Sequence, residues 1–290
     1  MILIADSGST KCDWILINSQ GKQVASQTTI GINPLNISQS KIESILLEIS
    51  EVSKKRSLIN EVHFYGAGCN AEASNQKVRT SFQSIFKNLK LINIEEDIIA
   101  AVHATTKTPG IIAILGTGSN CCYFNGKKVI QYAPSLGYLL ADEGSGNYFG
   151  KELLKSFYLQ QMPSSLAKEF ETIFGSNLEQ LFHNLYELPQ PNSYLASYAF
   201  FLFQHRDHPF IERMLYNGIR VFIDNYLTLY SKELENYPIH FVGSIAYYAQ
   251  DIINRILVDR GFTAKSFIKK PINNLIDHII STKDTLQKII

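Results

Sequence analysis

Apolar and polar residues alternate along the chain in short blocks, and one pattern of blocks occurs twice. Residues 2–5 and 111–115 are apolar runs with the length of a buried strand, and turns of small residues follow at 6–10 and 116–120. A further apolar run follows each turn, so both copies predict a strand, a turn and a strand. Glycines in such a turn let main-chain N–H groups approach an oxyanion such as phosphate closely. For either copy alone, a plain hairpin turn is the alternative interpretation.

A second pair of similar segments indicates that the chain contains two related halves. Residues 63–67, HFYGA, resemble residues 240–244, HFVGS. Each is an apolar strand that ends in glycine and precedes a helical pattern. Between these two features the second half is longer than the first by 67 residues. We therefore predict an α/β fold of two domains, 1–108 plus 275–290 and 109–274, with the second domain enlarged.

The additional residues of the second half have a helical pattern. From about 147 to 236 apolar residues recur at helical spacing, which predicts a helical insertion. Aromatic side chains are frequent in it, and we expect them to form a helix-bundle core or a dimer face. His205 and His208 have no third ligand nearby, so we predict a surface loop there and not a metal site.

Composition narrows the class of protein. Hydrophobic residues make up 45% of the chain and charged residues 18%, as in globular proteins. The 27 basic and 26 acidic residues nearly cancel, so net charge predicts no binding to nucleic acid or to an anionic membrane. Apolar runs fall far short of the ~20 residues that span a bilayer. Asp6 interrupts the first apolar run where a secretory signal would continue, so we expect a cytoplasmic protein. The four cysteines lack the spacing of a zinc finger or a disulfide framework.

An acidic group precedes the helical pattern that starts at residue 98. Glu95, Glu96 and Asp97 follow a short predicted strand at 91–94. A carboxylate in this position is commonly only a helix cap. The alternative is a general base, because the carboxyl ends of strands in open α/β sheets are where ligands bind. Asp97 is the candidate for that role.

Residues 66–71, GAGCNA, match the dinucleotide fingerprint G-x-G-x-x-A. The match is weak evidence for a nicotinamide or flavin site, because the turn lies in the middle of the chain and its partner copy at Gly243 lacks the pattern. A P-loop NTPase is excluded, since no G-x-x-x-x-G-K-[ST] motif occurs.

Four segments, taken in order, resemble the N-acetylglucosamine kinase family. They are DSGSTK at 6–11, LGTGSN at 115–120, DEGS at 142–145 and VGS at 242–244. That family belongs to the BadF/BadG/BcrA/BcrD ATPase group of the actin/hexokinase superfamily. The resemblance covers the whole chain. It implies two ribonuclease-H-like domains with an ATP-binding cleft between them, which agrees with the duplication.

The resemblance also implies roles for individual residues. ATP and Mg²⁺ would be the cofactors, with Asp6 holding the metal and Asp97 acting as the catalytic base. The positions that would contact ATP are Gly8, Ser9, Thr10, Lys11, Thr117, Gly118, Gly243 and Ser244, and those that would hold the sugar are Asn33, Ser119, Asn120 and Asp142. Ser7 stands where a glycine is common in the family. The segment around Asn33 lacks the tryptophan of animal members, so the sequence does not define how the acetamido group would be bound.

The resulting prediction is an ATP-dependent kinase that phosphorylates the 6-hydroxyl of an amino sugar, with N-acetylglucosamine first among the candidates. The resemblance and the aromatic insertion suggest a homodimer. Three alternatives stay open: a non-catalytic sugar sensor, an activator ATPase of the same group, and a dinucleotide-dependent oxidoreductase. The activator ATPases hold an iron–sulfur cluster through cysteines, and no cysteine here has a matching context.

Overall fold

The computed structural model describes residues 1–287 of the chain, and side chains as far as residue 282. Within these residues the fold divides into two compact units. The first contains Met1–Lys107 and the segment that begins at Lys270, and the second contains Thr108–Lys269. The domain boundaries predicted from the sequence stay a prediction. The predicted end of the last helix, Ile289, lies outside the described residues.

The first unit is built on one mixed sheet with helices on both faces. Its strands lie in the order β3-β2-β1-β4-β5, and β1 pairs antiparallel with β2 but parallel with β4. The strands are β1 (Ile2–Ser7), β2 (Lys11–Ile17), β3 (Gln23–Ile30), β4 (Glu61–Gly66) and β5 (Leu91–Glu96). The helices are α1 (Gln39–Glu48), α2 (Ser50–Lys54), α3 (Glu72–Ile85), α4 (Asp97–Thr105) and, from the end of the chain, α15 (Ile272–Gln287), with a 3-10 turn at Arg56–Leu58.

Strand β1 shows how the sequence positions functional side chains. Successive residues of a strand point to opposite faces of the sheet. Leu3 and Ala5 pack in a cluster with residues of α1 and α3, while Ile2 and Ile4 pack against α4 and α15. Asp6 and Ser7 continue this alternation, so their side chains leave the end of β1 on opposite sides.

The second unit has a sheet of the same design and more helices. The order is β10-β9-β6-β7-β8, with β6 antiparallel to β7 and parallel to β9. The strands are β6 (Gly110–Leu115), β7 (Ser119–Phe124), β8 (Val129–Ile130), β9 (Ile239–Val242) and β10 (Ala264–Ile268). The helices are α5 (Gly137–Leu140), α6 (Gly146–Tyr158), α7 (Ser164–Phe174), α8 (Leu178–Phe182), α9 (Pro191–Ser197), α10 (Phe200–Gln204), α11 (Pro209–Asn225), α12 (Ser231–Leu234), α13 (Ser244–Tyr248) and α14 (Gln250–Val258), with a π turn at His183–Glu187 and a 3-10 turn at Leu227–Tyr230.

The two sheets confirm the predicted α/β fold class. Strands β1, β2 and β3 of the first sheet correspond in order and direction to β6, β7 and β8 of the second, and β4 and β5 correspond to β9 and β10. Both glycine-containing turns connect the first two strands of their sheets. The two similar segments that contain the HF dipeptide lie in β4 and β9. Each of these strands pairs in parallel with the first strand of its sheet, β1 or β6.

Aromatic residues of the helices between β8 and β9 form part of the second unit's core. The ring of Phe170 lies 5.3 Å from that of Phe201 and 5.8 Å from that of Tyr198, and all three side chains are buried. The expected helix-bundle core is therefore present, while the dimer face stays a prediction. His208 precedes α11 and its Nδ1 accepts a hydrogen bond from the N–H of Phe210 at 3.1 Å, which is a capping role.

Several predicted elements are shorter in the structure. The apolar spacing after Ser38 predicts one helix that ends in the basic residues 54–56, but the structure interrupts it at Ile49, where the backbone is extended. The β-branched Ile49 and the following Ser50 are weak helix formers, and the buried Ile49 side chain anchors the break. The pattern of residues 244–257 predicts one helix, which the structure likewise divides at Ala249. Among the described residues, no helix has the length and apolarity needed to cross a membrane.

Candidate active site

Carboxylates gather at the end of β1 in the first unit. Asp6 stands opposite Asp13 in the β1–β2 pair and beside Tyr65 of β4. Directly opposite residues of an antiparallel pair share one face of the sheet. For Asp6 this is the face covered by α4 and α15, so the two carboxylates meet near the starts of these helices.

The charges around Asp6 are unbalanced. Burial, then the neighbouring Asp97 and Asp13 carboxylates, raise the pKa of Asp6 from 3.8 to about 7, although Lys11 and Lys270 act in the opposite direction. Burial alone would also raise the pKa of Asp13, but a hydrogen bond from Thr28 Oγ1 at 2.6 Å and the positive charges of Lys11 and Lys270 lower it. Of the two paired aspartates, Asp6 is therefore the one whose ionised form more needs a cation.

Asp97 is the first residue of α4. The capping position before it is occupied by Glu96, whose side chain makes no cap hydrogen bond. Asp97 thus lies one position inside the helix, in its first turn, and its role as a general base stays a prediction. Its carboxylate raises the pKa of Asp6, which places the two groups within electrostatic reach.

The first glycine-containing turn, residues 8–10, is packed against a second loop of the same unit. The N–H of Gly31 donates to the carbonyl oxygen of Thr10 at 3.0 Å. A Cβ atom added to Gly31 would lie 2.2 Å from the carbonyl oxygen of Gly8, so this contact requires glycine. Lys11 follows the turn and its side chain is exposed.

The loop that begins at Gly31 carries Asn33, a predicted sugar ligand. Asn33 Oδ1 accepts a hydrogen bond from the N–H of Leu35 at 3.0 Å. The same atom would lie 2.3 Å from a Cβ atom added to Gly68, whose φ is +80°. Gly68, the second glycine of the apparent dinucleotide fingerprint, thus leaves space for the Asn33 side chain.

The second glycine-containing turn, residues 116–118, is held by the segment after α5. The N–H of Gly116 donates to the carbonyl oxygen of Gly118 at 2.9 Å, and that of Gly146 donates to the carbonyl oxygen of Gly116 at 2.8 Å. Asn147 donates to the carbonyl oxygen of Thr117 through both its main-chain N–H, at 3.0 Å, and Nδ2, at 2.8 Å. A Cβ atom added to Gly116 would meet open space, so the turn has an uncovered side.

The buried side chain of Asp142 also holds the second glycine-containing turn. Its Oδ1 accepts from the N–H of Ser119 at 3.1 Å and its Oδ2 accepts from Asn147 Nδ2 at 2.7 Å. Its φ of 71° is unusual for a residue other than glycine. Burial raises the pKa of Asp142 despite these two hydrogen bonds. The carboxylate therefore fixes the end of the turn, and each oxygen keeps a lone pair for a further donor.

Gly243 and Ser244 lie beside the same turn at the start of α13. Gly243 has a φ of +110°, and a Cβ atom there would lie 2.3 Å from the carbonyl oxygen of Leu115. Ser244 is exposed. Asn120 is less closely connected: its Oδ1 accepts from the N–H of Cys121 at 2.8 Å and from Gln131 Nε2 at 2.9 Å.

Three residues of these clusters were missed by the sequence analysis. They are Asp13 and Lys270, which are joined by a hydrogen bond of 3.1 Å from Lys270 Nζ, and Asn147. The one available signal was the position of Asp13, a charged residue directly before the apolar run of residues 14–17. Lys270 lies 257 residues away in the chain, and nothing local pointed to it.

The whole chain is similar to the solved structure of a candidate N-acetylglucosamine kinase from Porphyromonas gingivalis. The two are 33% identical, with a TM-score of 0.87, and the match covers 96% of this chain and 98% of the other. The chain belongs to the N-acetylglucosamine kinase family. The resemblance stated from the four sequence segments is thus confirmed, and so is the class of ATP-dependent carbohydrate kinase at the level of the family.

Two further comparisons add fold and sequence context to the N-acetylglucosamine kinase family. A candidate N-acetylglucosamine kinase from Chromobacterium violaceum shares the fold, with a TM-score of 0.68 at 16% identity over 96% of this chain and 98% of that one. The N-acetyl-D-glucosamine kinase of Dictyostelium discoideum is 23% identical over 164 residues, 52% of this chain. That alignment spans 51% of the relative, about half its length. No family model matches the chain.

Proposed function

We propose that the protein transfers the γ-phosphoryl group of ATP to the 6-hydroxyl of an amino sugar, with N-acetylglucosamine as the first candidate. The observation that carries the proposal is the cluster of three carboxylates, those of Asp6, Asp13 and Asp97, near the end of β1. The cluster occurs in a chain of the N-acetylglucosamine kinase family. Solved and curated relatives are named as kinases of this sugar.

Asp6 fits a magnesium ion that is held mostly by water and phosphate oxygens, because no three metal-ligating side chains converge on one point among the described residues. Mg²⁺ binds carboxylate oxygens and phosphates. Burial, and then the neighbouring Asp97 and Asp13 carboxylates, raise the pKa of Asp6, and a divalent cation would stabilise its ionised form. Asp6 would hold the metal. When bound, Mg²⁺ supplies charge neutralisation at the phosphates of ATP.

The two glycine-containing turns fit phosphate groups. The first offers residues 8–10 and the exposed Lys11, and the second offers Thr117 and Gly118 with one side uncovered. Backbone N–H groups in such turns bind anions because no side chain separates them from the ligand. Gly243 and Ser244 would contact the adenosine, since the glycine brings its backbone against the second turn and Ser244 is exposed.

Asp97 would act on the acceptor. Phosphoryl transfer requires little covalent chemistry from the protein, so the base mainly orients the hydroxyl and accepts its proton. Its position at the start of α4, next to Asp6, suits that role. Asn33, Ser119, Asn120 and Asp142 would hold the sugar through amides, a hydroxyl and a carboxylate, groups that pair with polyol hydroxyls.

A sugar panel with a coupled ADP-release assay tests the proposal. N-acetylglucosamine, glucosamine, N-acetylmannosamine, N-acetylmuramic acid and glucose are compared at equal concentration, and the phosphorylated position of the product is assigned by phosphorus–proton NMR. We expect the highest kcat/KM for an amino sugar and a 6-phosphate product. Sugar binding without sugar-dependent ADP release would favour the non-catalytic sensor, and product phosphorylated at another position would overturn the 6-hydroxyl assignment. The homodimer and the cytoplasmic location are kept as predictions.

A further inference from the structure

Ser7 uses its hydroxyl group to hold one residue of another loop by both main-chain groups. It ends β1, and its side chain is fully buried. Ser7 Oγ accepts a hydrogen bond from the N–H of Ile32 at 2.7 Å and lies 3.1 Å from the carbonyl oxygen of Ile32, to which it donates. One short side chain therefore satisfies two polar groups of a buried backbone segment.

The segment that Ser7 holds lies between the first glycine-containing turn, residues 8–10, and Asn33. Gly31 precedes Ile32 and contacts Gly8 and Ser9 so closely that no Cβ atom would fit. Asn33 follows Ile32 directly. The side chain of Ile32 is fully buried, which fixes the segment from its apolar side as well.

A second set of contacts fixes the far end of the loop. Lys77 Nζ on α3 donates to the carbonyl oxygens of Pro34 and Ile37, the latter at 3.2 Å. The carbonyl oxygen of Ser7 accepts from the N–H of Ala67 at 2.9 Å, next to the Gly68 that contacts Asn33. Asn33 is thus enclosed by backbone that is tied to Ser7 on one side and to Lys77 on the other.

We infer that Ser7 is a positioning residue that holds the loop carrying Asn33 against the turn of residues 8–10, and thereby sets the affinity for the sugar. The inference rests on the proposed function in assigning Asn33 to the sugar. Without the hydroxyl, the N–H of Ile32 loses its partner in a site closed to water, and the loop shifts to regain one.

Steady-state kinetics separate this role from a general loss of stability. The variants are Ser7→Ala, which removes the hydroxyl, and Ser7→Thr, which keeps it. Ser81→Ala is the matched control, because Ser81 is equally buried in the same unit but donates only within α3, to the carbonyl oxygen of Lys77 at 2.9 Å. Circular dichroism and thermal melting confirm that each variant is folded.

For Ser7→Ala we expect the KM of the sugar to rise about tenfold, as for buried main-chain groups that lose their hydrogen-bond partner, while kcat and the KM of ATP change less than about threefold. Ser7→Thr should return the sugar KM to within about threefold of the wild-type value, and Ser81→Ala should leave it unchanged. An unchanged sugar KM in Ser7→Ala overturns the inference. A parallel rise in the KM of ATP also overturns the inference, because it would place the effect in the turn of residues 8–10.

Hydrogen exchange tests the contact without any activity measurement. Amide exchange at Ile32 is followed by NMR or by mass spectrometry of a peptide that covers residues 28–37. We expect exchange about tenfold faster in Ser7→Ala than in wild type or Ser81→Ala. Equal exchange rates would overturn the inference. If wild type released no ADP with any sugar, the proposed function would fail, and the exchange rates would still decide whether Ser7 holds the loop.

Discussion

Asp6 of β1 and Asp13 of β2 stand opposite each other on one face of the first sheet. Asp13 is stabilised in its ionised form by Thr28 and by Lys270, whereas burial and the neighbouring carboxylates raise the pKa of Asp6 to about 7. Two carboxylates in register are unfavourable in a protein that only has to fold. The pair therefore indicates a place where selection for ligand binding outweighs stability.

Replacing Asp6 by Asn should stabilise the protein in the absence of metal. The folded-state pKa is raised from 3.8 to about 7, so ionised Asp6 opposes folding increasingly as the pH rises through this window. In EDTA at about pH 8 we expect a Tm higher than wild type by about 3 °C, with the difference vanishing near pH 4. Differential scanning fluorimetry at the two pH values makes the measurement. A lower Tm at the higher pH would contradict the argument.

Replacing Asp97 by Asn should lower kcat by about 10²–10⁴-fold, the usual range for loss of a general base, with little change in the KM of the sugar. Asn keeps the size of the side chain and its place at the start of α4 but cannot accept the proton. Glu96→Gln is the control, because Glu96 is the adjacent carboxylate and caps no N–H group. A near-normal kcat in the Asp97 variant, or an equal loss in the Glu96 variant, would remove Asp97 from the role.

The contact between Gly68 and Asn33 distinguishes the sugar kinase from the dinucleotide alternative. Gly68→Ala adds a Cβ atom 2.3 Å from Asn33 Oδ1, so we expect the KM of the sugar to rise about tenfold or more. Gly261→Ala is a matched control, since Gly261 has a nearly equal φ of +82° and open space around its Cβ position. Both variants bear the same backbone strain, but only the first displaces Asn33. A sugar KM that is unchanged in Gly68→Ala, or NAD binding by wild type in a thermal-shift screen, would contradict the assignment.

Asp142 and Asn147 should be energetically coupled. They share a buried hydrogen bond of 2.7 Å, and each also holds the turn of residues 116–118. We expect each change to Ala to cost about 1–3 kcal/mol of unfolding free energy, and the double variant to cost about 1 kcal/mol less than the sum. Urea unfolding followed by circular dichroism measures the four proteins of the cycle. Additive losses would mean that the two side chains hold the turn independently.

The sequence was sufficient for features that depend on local order. Two apolar runs around a turn of small residues predict the same structure wherever they occur, so the duplicated turns and the class of the fold could be predicted. Asp97 could be found because an acidic residue between a strand and a helix is visible in the sequence itself.

Features that depend on side-chain direction could not be predicted. The fingerprint at residues 66–71 shows that a Cβ atom is excluded, but sequence alone does not say whether a ligand or the protein's own Asn33 fills the space. The hydrogen bond between Ser7 and Ile32 joins residues 25 positions apart and depends on which face of the sheet Ser7 occupies. Lys270 reaches Asp13 only because α15 returns to the first sheet.

A histidine cluster of the first unit should make its stability depend on pH. His103 Nδ1 lies 3.2 Å from the hydroxyl oxygen of Tyr65, and its ring stacks on that of His278 with centroids 3.7 Å apart. Burial, then the neighbouring His278 and His63, lower the pKa of His103 from 6.5 to about 4. Burial and the charges of Lys107 and His63 likewise lower the pKa of His278.

The sign of the effect follows from the lowered pKa. The folded state keeps His103 neutral down to about pH 4, while the unfolded chain takes up a proton from about pH 6.5 downward. Stability is therefore complete above about pH 6.5 and is lost as the pH falls toward 4. Trp14, the one tryptophan of the chain, is buried in the first unit, so its fluorescence reports on the unfolding of this unit.

Urea unfolding is measured at about pH 7.5, 6 and 5. The urea concentration at the midpoint should become lower as the pH is lowered. His103→Phe keeps a ring that can stack on His278 but cannot be protonated, so we expect a slope smaller by up to ~1.4 kcal/mol per pH unit in this range. His183→Gln is the control, because His183 is exposed in the second unit and pairs with Glu187. A wild-type midpoint that is constant from pH 7.5 to 5, or a His103→Phe variant with the full wild-type slope, would show that the cluster does not control the stability of the first unit.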